Sequence, residues 1–333
     1  MTSPPDSGPP DSRAHPAALP HPSDANQSIL LAGVDGGGTG SRCLIVDPEG
    51  MELAWSDGEA ALVDPAHPLR AARAIARAVT RAAEAAGGGL PVETLWAGLA
   101  GAGRQEARLG VEEALRSMGL ARKIRVGMDV EAAHQDAFRG QPGILLTVGT
   151  GSMAWGRDSQ GREVRVGGWG SLLGEEGSGY WLAVQGLRAV VRGLDGRGPE
   201  TGLSTVVLER LGLPDPRALI PWVASATKAD IAELAPLILK MAEAGDGPAG
   251  EVRASALREL RLDVVTVLKE LGADGGPFPV ALAGGLVEMG SSFRELVVRE
   301  LEGAGAVCLP QSVLPARGAA DLALELHLQL PSP

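Results

Sequence analysis

The stretch Gly33-Val34-Asp35-Gly36-Gly37-Gly38-Thr39-Gly40-Ser41-Arg42 decides the fold prediction, because a strand is predicted on each side of its glycines. Residues 29–34 form a short apolar run that indicates a buried strand. Residues 43–46 are a second apolar run, residues 47–50 have the composition of a turn, and residues 51–55 indicate a third strand. The glycines are therefore predicted to join two antiparallel strands in a hairpin.

This arrangement excludes two common phosphate-binding motifs. A dinucleotide fingerprint or a P-loop sends the chain from its glycines directly into a helix, and a P-loop also supplies a lysine. The sequence after Gly40 meets neither condition. What remains is a glycine hairpin whose bare backbone N–H groups can close on an anion.

The same design occurs a second time. Residues 143–148 form an apolar run that ends in Gly149, Thr150, Gly151 and Ser152, and the chain continues through strand 153–158, turn 159–161 and strand 163–166. Two such hairpins facing one cleft would form a clamp for a polyphosphate. The alternative is two ordinary hairpins in a chain that has 47 glycines among 333 residues.

Composition limits the function classes. A length of 333 residues predicts two domains, and a hydrophobic content of 44% is sufficient for sizeable cores. The net charge of −11 argues against nucleic acid or an anionic membrane as a partner. It does not argue against ATP, because local backbone dipoles and a bound Mg²⁺ decide that affinity.

The metal-ligating residues are few and scattered. The chain has two cysteines, Cys43 and Cys308, without a CxxC pair, and its five histidines have no ligand spacing. A structural zinc or an iron–sulfur cluster is therefore not expected. The low cysteine content is consistent with a protein of the reducing cytoplasm. Residues 1–28 form a Pro/Ser/Asp-rich tail that is predicted to be disordered and has no apolar signal segment. No apolar run is long enough for a membrane span.

The rest of the chain predicts alternating helices and strands, which indicates an α/β protein with mixed sheets. In the first half we expect helices over 69–86, 104–118 and 130–138, strands over 93–99 and 123–128, and a boundary at 139–142. In the second half we expect strands over 280–283 and 306–309. The helices expected there cover 175–192, 205–211, 228–244, 249–271, 293–302 and 317–328.

Five ordered pieces carry a family resemblance: GVDGGGTGSRCLIVD, MDVEAAHQDA, ILLTVGTGS, GGWGSLLGEEGSGYW and ALAGGLVE. They resemble the sugar-kinase/heat-shock chaperone/actin superfamily, and within it the N-acetylglucosamine and glucosamine kinase group of the BadF/BadG/BcrA/BcrD ATPases. The resemblance covers residues 30–330. It implies an α/β, two-lobed actin-like (ribonuclease H-like) ATPase fold with duplicated mixed sheets. The implied lobes are 29–139 with 317–330, which carries the first phosphate loop, and 140–316, which carries the sugar and adenosine sites.

The resemblance also implies roles for particular residues. Asp35 would hold Mg²⁺, and Asp129 would be the catalytic base that activates the 6-hydroxyl of an amino sugar. The implied sugar contacts are Gly168, Trp169, Glu175, Gly177 and Ser178. The implied ATP contacts are Gly36, Gly37, Gly38, Thr39, Ser41, Gly149, Thr150, Gly151, Ser152, Gly284 and Gly285. A cytoplasmic kinase without nucleic-acid or membrane partners is expected, and a homodimer stays open.

Each assignment has a structural alternative. Asp35 also favours a turn, and Asp129 is also a good helix N-cap. Glu175 would complement a helix dipole, Trp169 would serve in a core, and Gly284-Gly285 would form a plain turn. Two other functions stay open, an iron–sulfur activator ATPase and a non-catalytic sugar sensor. The group often has an Asn in the loop after the third strand, and residues 57–64 contain none, which leaves the sugar unspecified.

Overall fold

The computed structural model of the protein describes residues 29–273 and 277–329. The predicted disordered tail, residues 1–28, lies outside the described residues, as does residue 330. In the part of the chain that is described, no helix combines the length and the apolar character needed to cross a bilayer.

The first half of the chain forms a mixed five-stranded sheet in the order β3-β2-β1-β4-β5. Strand β1 is antiparallel to β2 and parallel to β4, so the glycine hairpin lies beside the centre of the sheet. Apolar side chains on both faces of β1 and β2 are buried, which explains their continuous apolar runs. The strands are β1 (Leu31–Gly36), β2 (Ser41–Val46), β3 (Glu52–Gly58), β4 (Val92–Leu99) and β5 (Ala121–Met128).

The second half repeats this sheet. Its order is β10-β9-β6-β7-β8, with β6 antiparallel to β7 and parallel to β9. The predicted duplication of the hairpin and the predicted fold with two mixed sheets are therefore confirmed. The strands are β6 (Gly143–Val148), β7 (Ser152–Arg157), β8 (Glu163–Gly167), β9 (Phe278–Ala283) and β10 (Ala306–Cys308).

Eleven α-helices in the described ranges connect and cover the strands. They are α1 (Pro68–Ala85), α2 (Gln105–Ser117), α3 (Asp129–Phe138), α4 (Gly179–Leu194), α5 (Leu203–Leu211), α6 (Leu219–Ser225), α7 (Lys228–Ala232), α8 (Ala235–Glu243), α9 (Gly247–Leu271), α10 (Ser292–Glu302) and α11 (Pro315–Leu328).

Two helix predictions were wrong, and a helix was missed. The helix predicted over 175–192 begins only at Gly179, because Gly177 has a φ of +79° and the hydroxyl of Ser178 caps the helix by accepting the Trp181 N–H at 3.1 Å. The helix predicted over 228–244 is two helices, since the ring of Pro236 would clash with the carbonyl of residue 232, where α7 ends. Helix α6 was not predicted.

Helix α3 lies between the two sheets and positions the residues at its start. Ala132 packs in the cluster that α11 and the first sheet form, while Val130, Ala133 and Phe138 pack against buried side chains of the second sheet. The last helix, α11, packs against β1 and α3 and covers one face of the first sheet.

Candidate functional site

A cleft of about 880 Å³ is lined by residues from both sheets and from α3 and α11. It contains the first glycine hairpin, the start of α3 and the segment after β9. The parallel strands β1, β4, β6 and β9 end toward it, which is where open α/β sheets place ligand groups. Its lining includes Asp35, Gly37, Thr39, Ser41, Arg42, Asp57, Asp129, Thr147, Gly284, Gly285, Glu288, Arg294 and Ser312.

The turn of the first hairpin is open and is held by its own backbone. The Gly37 N–H donates to the Gly40 carbonyl at 2.9 Å. Gly38 is exposed, and a Cβ on it would meet nothing within 4 Å. By contrast a Cβ on Gly36 would lie 2.7 Å from Leu99 Cδ2, so Gly36 is a packing glycine. A ligand can therefore approach the turn at Gly37, Gly38 and Thr39.

Ser41 follows the turn and lines the cleft. Its side chain is buried at 7% exposure, yet its hydroxyl has no hydrogen-bond partner among the described residues. A buried hydroxyl without a partner is costly. The Ser41 hydroxyl lies beside Gly58, on the face of β2 opposite to Arg42, so its geometry does not by itself indicate a ligand.

Three charged residues stand in a row on the strands that line the cleft. Asp35 lies directly opposite Arg42 in the β1–β2 pair, and Arg42 lies directly opposite Asp57 in the β2–β3 pair. Arg42 Nε donates to Asp57 Oδ1 at 2.9 Å. Burial, and after it the charge of Asp129, raise the pKa of Asp35 to about 6, and the charge of Arg42 opposes this rise.

Asp129 begins α3 and faces the same cleft. Burial raises the pKa of its carboxyl group, while hydrogen bonds from backbone N–H groups and the charge of Arg165 oppose the rise. Its Oδ1 accepts the Val130 N–H at 3.0 Å. The N-cap alternative is wrong, because Met128 is the N-cap of α3 and Asp129 is the first helical residue. The Asp129 carboxylate lines the cleft and can accept a proton there.

The segment after β9 approaches the second hairpin through bare backbone. Gly284 has a φ of +105°, and a Cβ on it would lie 2.5 Å from the Val148 carbonyl oxygen. Arg294 holds this segment, because its Nη1 donates to the Val287 carbonyl at 2.9 Å and its Nη2 to the Leu309 carbonyl at 3.1 Å. Gly284 and Gly285 therefore form a shallow wall that only glycine permits at Gly284.

The second glycine turn is beside the cleft and does not belong to its lining. The N–H groups of Gly179 and Tyr180, at the start of α4, donate to the carbonyls of Gly149 and Thr150 at 2.8 and 3.2 Å. The Ser152 hydroxyl donates to the Glu176 carbonyl at 2.7 Å. Gly149 to Ser152 are thus hydrogen-bonded to Glu176 and to the start of α4, and the Ser152 hydroxyl already has a partner.

The five predicted sugar contacts lie on the 168–178 segment, away from the large cleft. The Glu175 carboxylate lies against the second glycine turn, where a Cβ on Gly151 would be 2.9 Å from Oε1, and it pairs with Lys228 at 2.5 Å. Gly168 and Gly177 have positive φ values, and the Ser178 hydroxyl is already hydrogen-bonded as the N-cap of α4. Trp169 is 72% exposed, with the Arg165 guanidinium 5.9 Å from its ring.

The two acidic side chains of the loop after β3, Glu59 and Asp64, are not among the described lining residues of the cleft. Glu59 pairs with Arg77 at 2.5 Å and Asp64 with His67 at 2.9 Å, so both turn toward α1. The backbone of the loop is fixed instead, because the Ala61 N–H donates to the Gly37 carbonyl at 3.0 Å. Leu62 is left half exposed.

Sequence reasoning missed several residues that line the cleft, namely Arg42, Asp57, Glu288 and Arg294. The strand register was a usable signal for the first two, because residues opposite Asp35 across a hairpin share its face. Glu288 ends the ALAGGLVE piece and reaches the cleft on the segment after β9. Arg294 had no such signal, since it reaches the cleft only through the packing of α10 on the second sheet.

Metal ligation by the protein alone is not indicated. Among the described residues, no group of three His, Cys, Asp or Glu side chains could hold an ion. Asp35 could still hold a divalent cation whose other ligands are phosphate oxygens and water. Cys43 lies buried in β2 and Cys308 in β10, in different sheets, and burial raises the pKa of both thiols.

Comparisons with known proteins agree on one family. The sequence profile of the BadF/BadG/BcrA/BcrD ATPase family matches residues 32–323. An N-acetyl-D-glucosamine kinase from Dictyostelium discoideum is 28% identical over 311 residues, which are 89% of this chain and 98% of that protein.

Two further relatives are informative. An N-acetylmuramic acid/N-acetylglucosamine kinase from Clostridium acetobutylicum is 34% identical over 192 residues, which are 57% of this chain and 63% of that protein. A crystal structure from Chromobacterium violaceum, provisionally named an N-acetylglucosamine kinase, superposes with a TM-score of 0.75 at 29% identity and covers 90% of this chain and 99% of its own.

Proposed function

The chain belongs to the BadF/BadG/BcrA/BcrD ATPase family, and we propose that it is an ATP-dependent kinase that phosphorylates an amino sugar. One observation carries this proposal. Asp35 of the first glycine hairpin and Asp129 of α3 face one cleft, whose wall at Gly284 is bare backbone. A metal-binding carboxylate, a basic carboxylate and an open anion turn are the parts that phosphoryl transfer requires.

The nucleotide would lie in the cleft, with the first glycine turn in the lining and the second glycine turn beside it. Its phosphates would accept hydrogen bonds from the turn at Gly37, Gly38 and Thr39, which is open to the cleft. Its nucleoside would lie against Gly284 and Gly285. The second turn, Gly149 to Ser152, would then contribute backbone groups, since the Ser152 hydroxyl is committed to Glu176.

Asp35 would hold Mg²⁺, and the ion would neutralise charge on the β- and γ-phosphates. The donor chemistry of the site fits this ion, because Asp35 is a carboxylate that burial and Asp129 make costly to keep charged. A cation next to Asp35 would remove that cost. The remaining ligands would be phosphate and water oxygens.

Asp129 would act as the general base. Its carboxylate would accept the proton of the sugar 6-hydroxyl while that oxygen attacks the γ-phosphorus, and ADP would leave on the opposite side. The α3 helix fixes the carboxylate between the two sheets through Ala132 on one side and Val130 and Ala133 on the other. A base that is held in this way loses little orientational freedom as the reaction proceeds.

The sugar would bind between Asp129 and the 168–178 segment. Glu175 is the side chain of that segment most suited to a sugar hydroxyl, because it is a partly buried carboxylate that Lys228 already orients. Gly168, Trp169, Gly177 and Ser178 would shape this segment. The chain would divide into one lobe of residues 29–139 with 317–330 and another of 140–316, and the two lobes would close on the substrates.

The substrate class is N-acetylglucosamine, glucosamine or a related amino sugar. The relatives from Dictyostelium and Clostridium carry names of this class. The iron–sulfur activator alternative gains no support, since Cys43 and Cys308 lie in separate sheets. A silent sugar-binding protein would have no need for Asp129 in the cleft.

A coupled assay of ADP release tests the proposal. Purified protein with Mg-ATP would be tested with glucosamine, N-acetylglucosamine, N-acetylmuramic acid, N-acetylmannosamine and glucose. We expect sugar-dependent ADP release with at least one amino sugar and much less with glucose. Protein that binds ATP and releases no ADP with any of these sugars would contradict the kinase assignment.

A further inference from the structure

The cleft is lined mainly by acidic charge, although the proposed ligand is a polyanion. Asp35, Asp57, Asp129 and Glu288 all line it. Among its described lining residues, the only cationic side chains are Arg42 and Arg294. Backbone N–H groups and a metal ion would meet part of the phosphate charge, and a guanidinium group that can reach the phosphates would meet more of it.

Arg294 cannot serve as that group without loss of structure. Its side chain is only 6% exposed, and its two terminal nitrogens donate to the carbonyls of Val287 and Leu309. These bonds join the segment after β9 to the end of β10. Arg294 therefore builds the wall of the cleft.

Arg42 has the freedom that Arg294 lacks. Its side chain is 54% exposed, and its ion pair is with Asp57, which is itself 80% exposed. Exposed pairs of this kind contribute only about 0–1 kcal/mol. The hydrogen bond to Asp57 uses Nε, and a guanidinium has five N–H donors, so most of the donors remain for a second partner.

The position of Arg42 in the hairpin determines which part of a bound nucleotide its side chain can contact. Arg42 lies directly opposite Asp35 in the β1–β2 hairpin. A single residue pair, Gly36 and Ser41, separates these two residues from the open glycine turn. If Asp35 faces the metal at the β- and γ-phosphates, Arg42 is beside those same phosphates.

We propose that Arg42 binds the β/γ end of the nucleotide and that Asp57 holds its side chain at the cleft until the nucleotide arrives. The inference rests on the proposed function, because it needs a nucleotide in this cleft. Phosphate is the stronger partner, since it offers two oxygens to the planar guanidinium and is partly shielded from water. Asp57 keeps Arg42 near the phosphates at small cost and releases it easily.

Calorimetric titration of the full chain with Mg²⁺ and either AMP-PNP or AMP tests this assignment. We expect Arg42→Ala to weaken AMP-PNP binding about 10- to 100-fold, as for hydrogen bonds to charged groups, and to change AMP binding less than threefold. Arg42→Lys should fall between the two. Asp57→Asn should tighten AMP-PNP binding by up to about fivefold, because the competing carboxylate is gone.

Arg116→Ala is the matched control, because Arg116 is 52% exposed and ion-paired within α2, outside the cleft. Melting temperatures of the nucleotide-free variants would confirm that each is folded. Equal AMP-PNP affinity of the Arg42→Ala and Arg116→Ala variants, with the wild type binding normally, would overturn the assignment alone. Wild-type protein that binds neither nucleotide would overturn the proposed function as well.

Discussion

Asp35, near the end of β1, and Asp129, at the start of α3, face one cleft so closely that the charge of Asp129 raises the pKa of Asp35. Two carboxylates that repel each other are a destabilising arrangement. A divalent cation and a proton-donating substrate between them would remove the repulsion. The pair therefore identifies the part of the cleft where chemistry is expected.

The first prediction concerns the base. Asp129→Asn keeps the shape of the side chain and removes its proton affinity, so kcat should fall roughly 10²- to 10⁴-fold while AMP-PNP affinity changes little. Steady-state kinetics and calorimetry measure the two effects. Glu131→Gln is the control, since Glu131 lies on the same helix and pairs with Arg108 outside the cleft. Retention of more than a tenth of the wild-type kcat by Asp129→Asn would end the assignment.

The second prediction concerns the acidic limb of the pH–rate profile. Asp129 must be deprotonated to accept a proton, and burial raises its pKa, so kcat/KM should fall at a higher pH than an ordinary aspartate would give. Arg165 opposes this rise. Arg165→Ala should therefore move the limb to still higher pH.

The control for the pH profile is Arg162→Ala on the same hairpin, because Arg162 pairs with Asp158 and is not among the groups that act on Asp129. Its profile should match that of the wild type. A limb that moved to lower pH in Arg165→Ala would contradict the stated electrostatics.

The third prediction concerns stability without ligands. The pKa of Asp35 is 3.8 as a free group and about 6 in the fold, so the folded protein binds the proton more tightly than the unfolded chain. Stability therefore falls as pH rises from about 4 to 6, and the full cost is present above that range. Asp35→Asn should stabilise the apoprotein by at most about 3 kcal/mol at pH 8 and by little at pH 4.

Urea unfolding at the two pH values, without Mg²⁺ or nucleotide, measures this difference. Asp57→Asn is the control, because Asp57 is 80% exposed and its replacement should change the free energy of unfolding only slightly. If Asp35→Asn proved less stable than the wild type at pH 8, the carboxylate would have to be stabilised by contacts other than those described.

The fourth prediction concerns the packing of the last helix, α11, against strand β1. A Cβ on Gly33 would lie 2.5 Å from Ala320 Cα and 2.6 Å from the Ala316 carbonyl oxygen, so α11 packs directly on the backbone of β1. Gly33→Ala should lower the free energy of unfolding by about 1–3 kcal/mol, as overpacking does. Gly250→Ala in α9 is the contrasting variant, since a Cβ there meets nothing within 4 Å and should stabilise by about 0.5–1 kcal/mol. Equal stability of the Gly33→Ala variant and the wild type would show that α11 can shift freely.

Local chemistry determined most of the secondary structure. The hairpin of β1 and β2 follows from two apolar runs and the glycines between them, and the second hairpin follows from the same signals. Gly177 and Pro236 are residue types that signal a helix boundary, but the apolar periodicity on either side of them favoured longer helices. The prediction of these helix boundaries failed because one required positive φ value, or one missing backbone N–H, outweighs the summed weak helix propensities of the neighbouring residues.

The sequence by itself thus determined the duplicated strands and the two carboxylates at strand and helix ends, since these depend on residues that are neighbours in the chain. Only the tertiary structure decided what meets in the cleft. Helix α11 reaches β1 from nearly three hundred residues away, and Lys123 holds its end through the carbonyls of Leu326, His327 and Gln329. The registry of three strands places Arg42 between Asp35 and Asp57, while Ser152 turns to Glu176. Such partners are chosen by packing between distant segments, which no local propensity encodes.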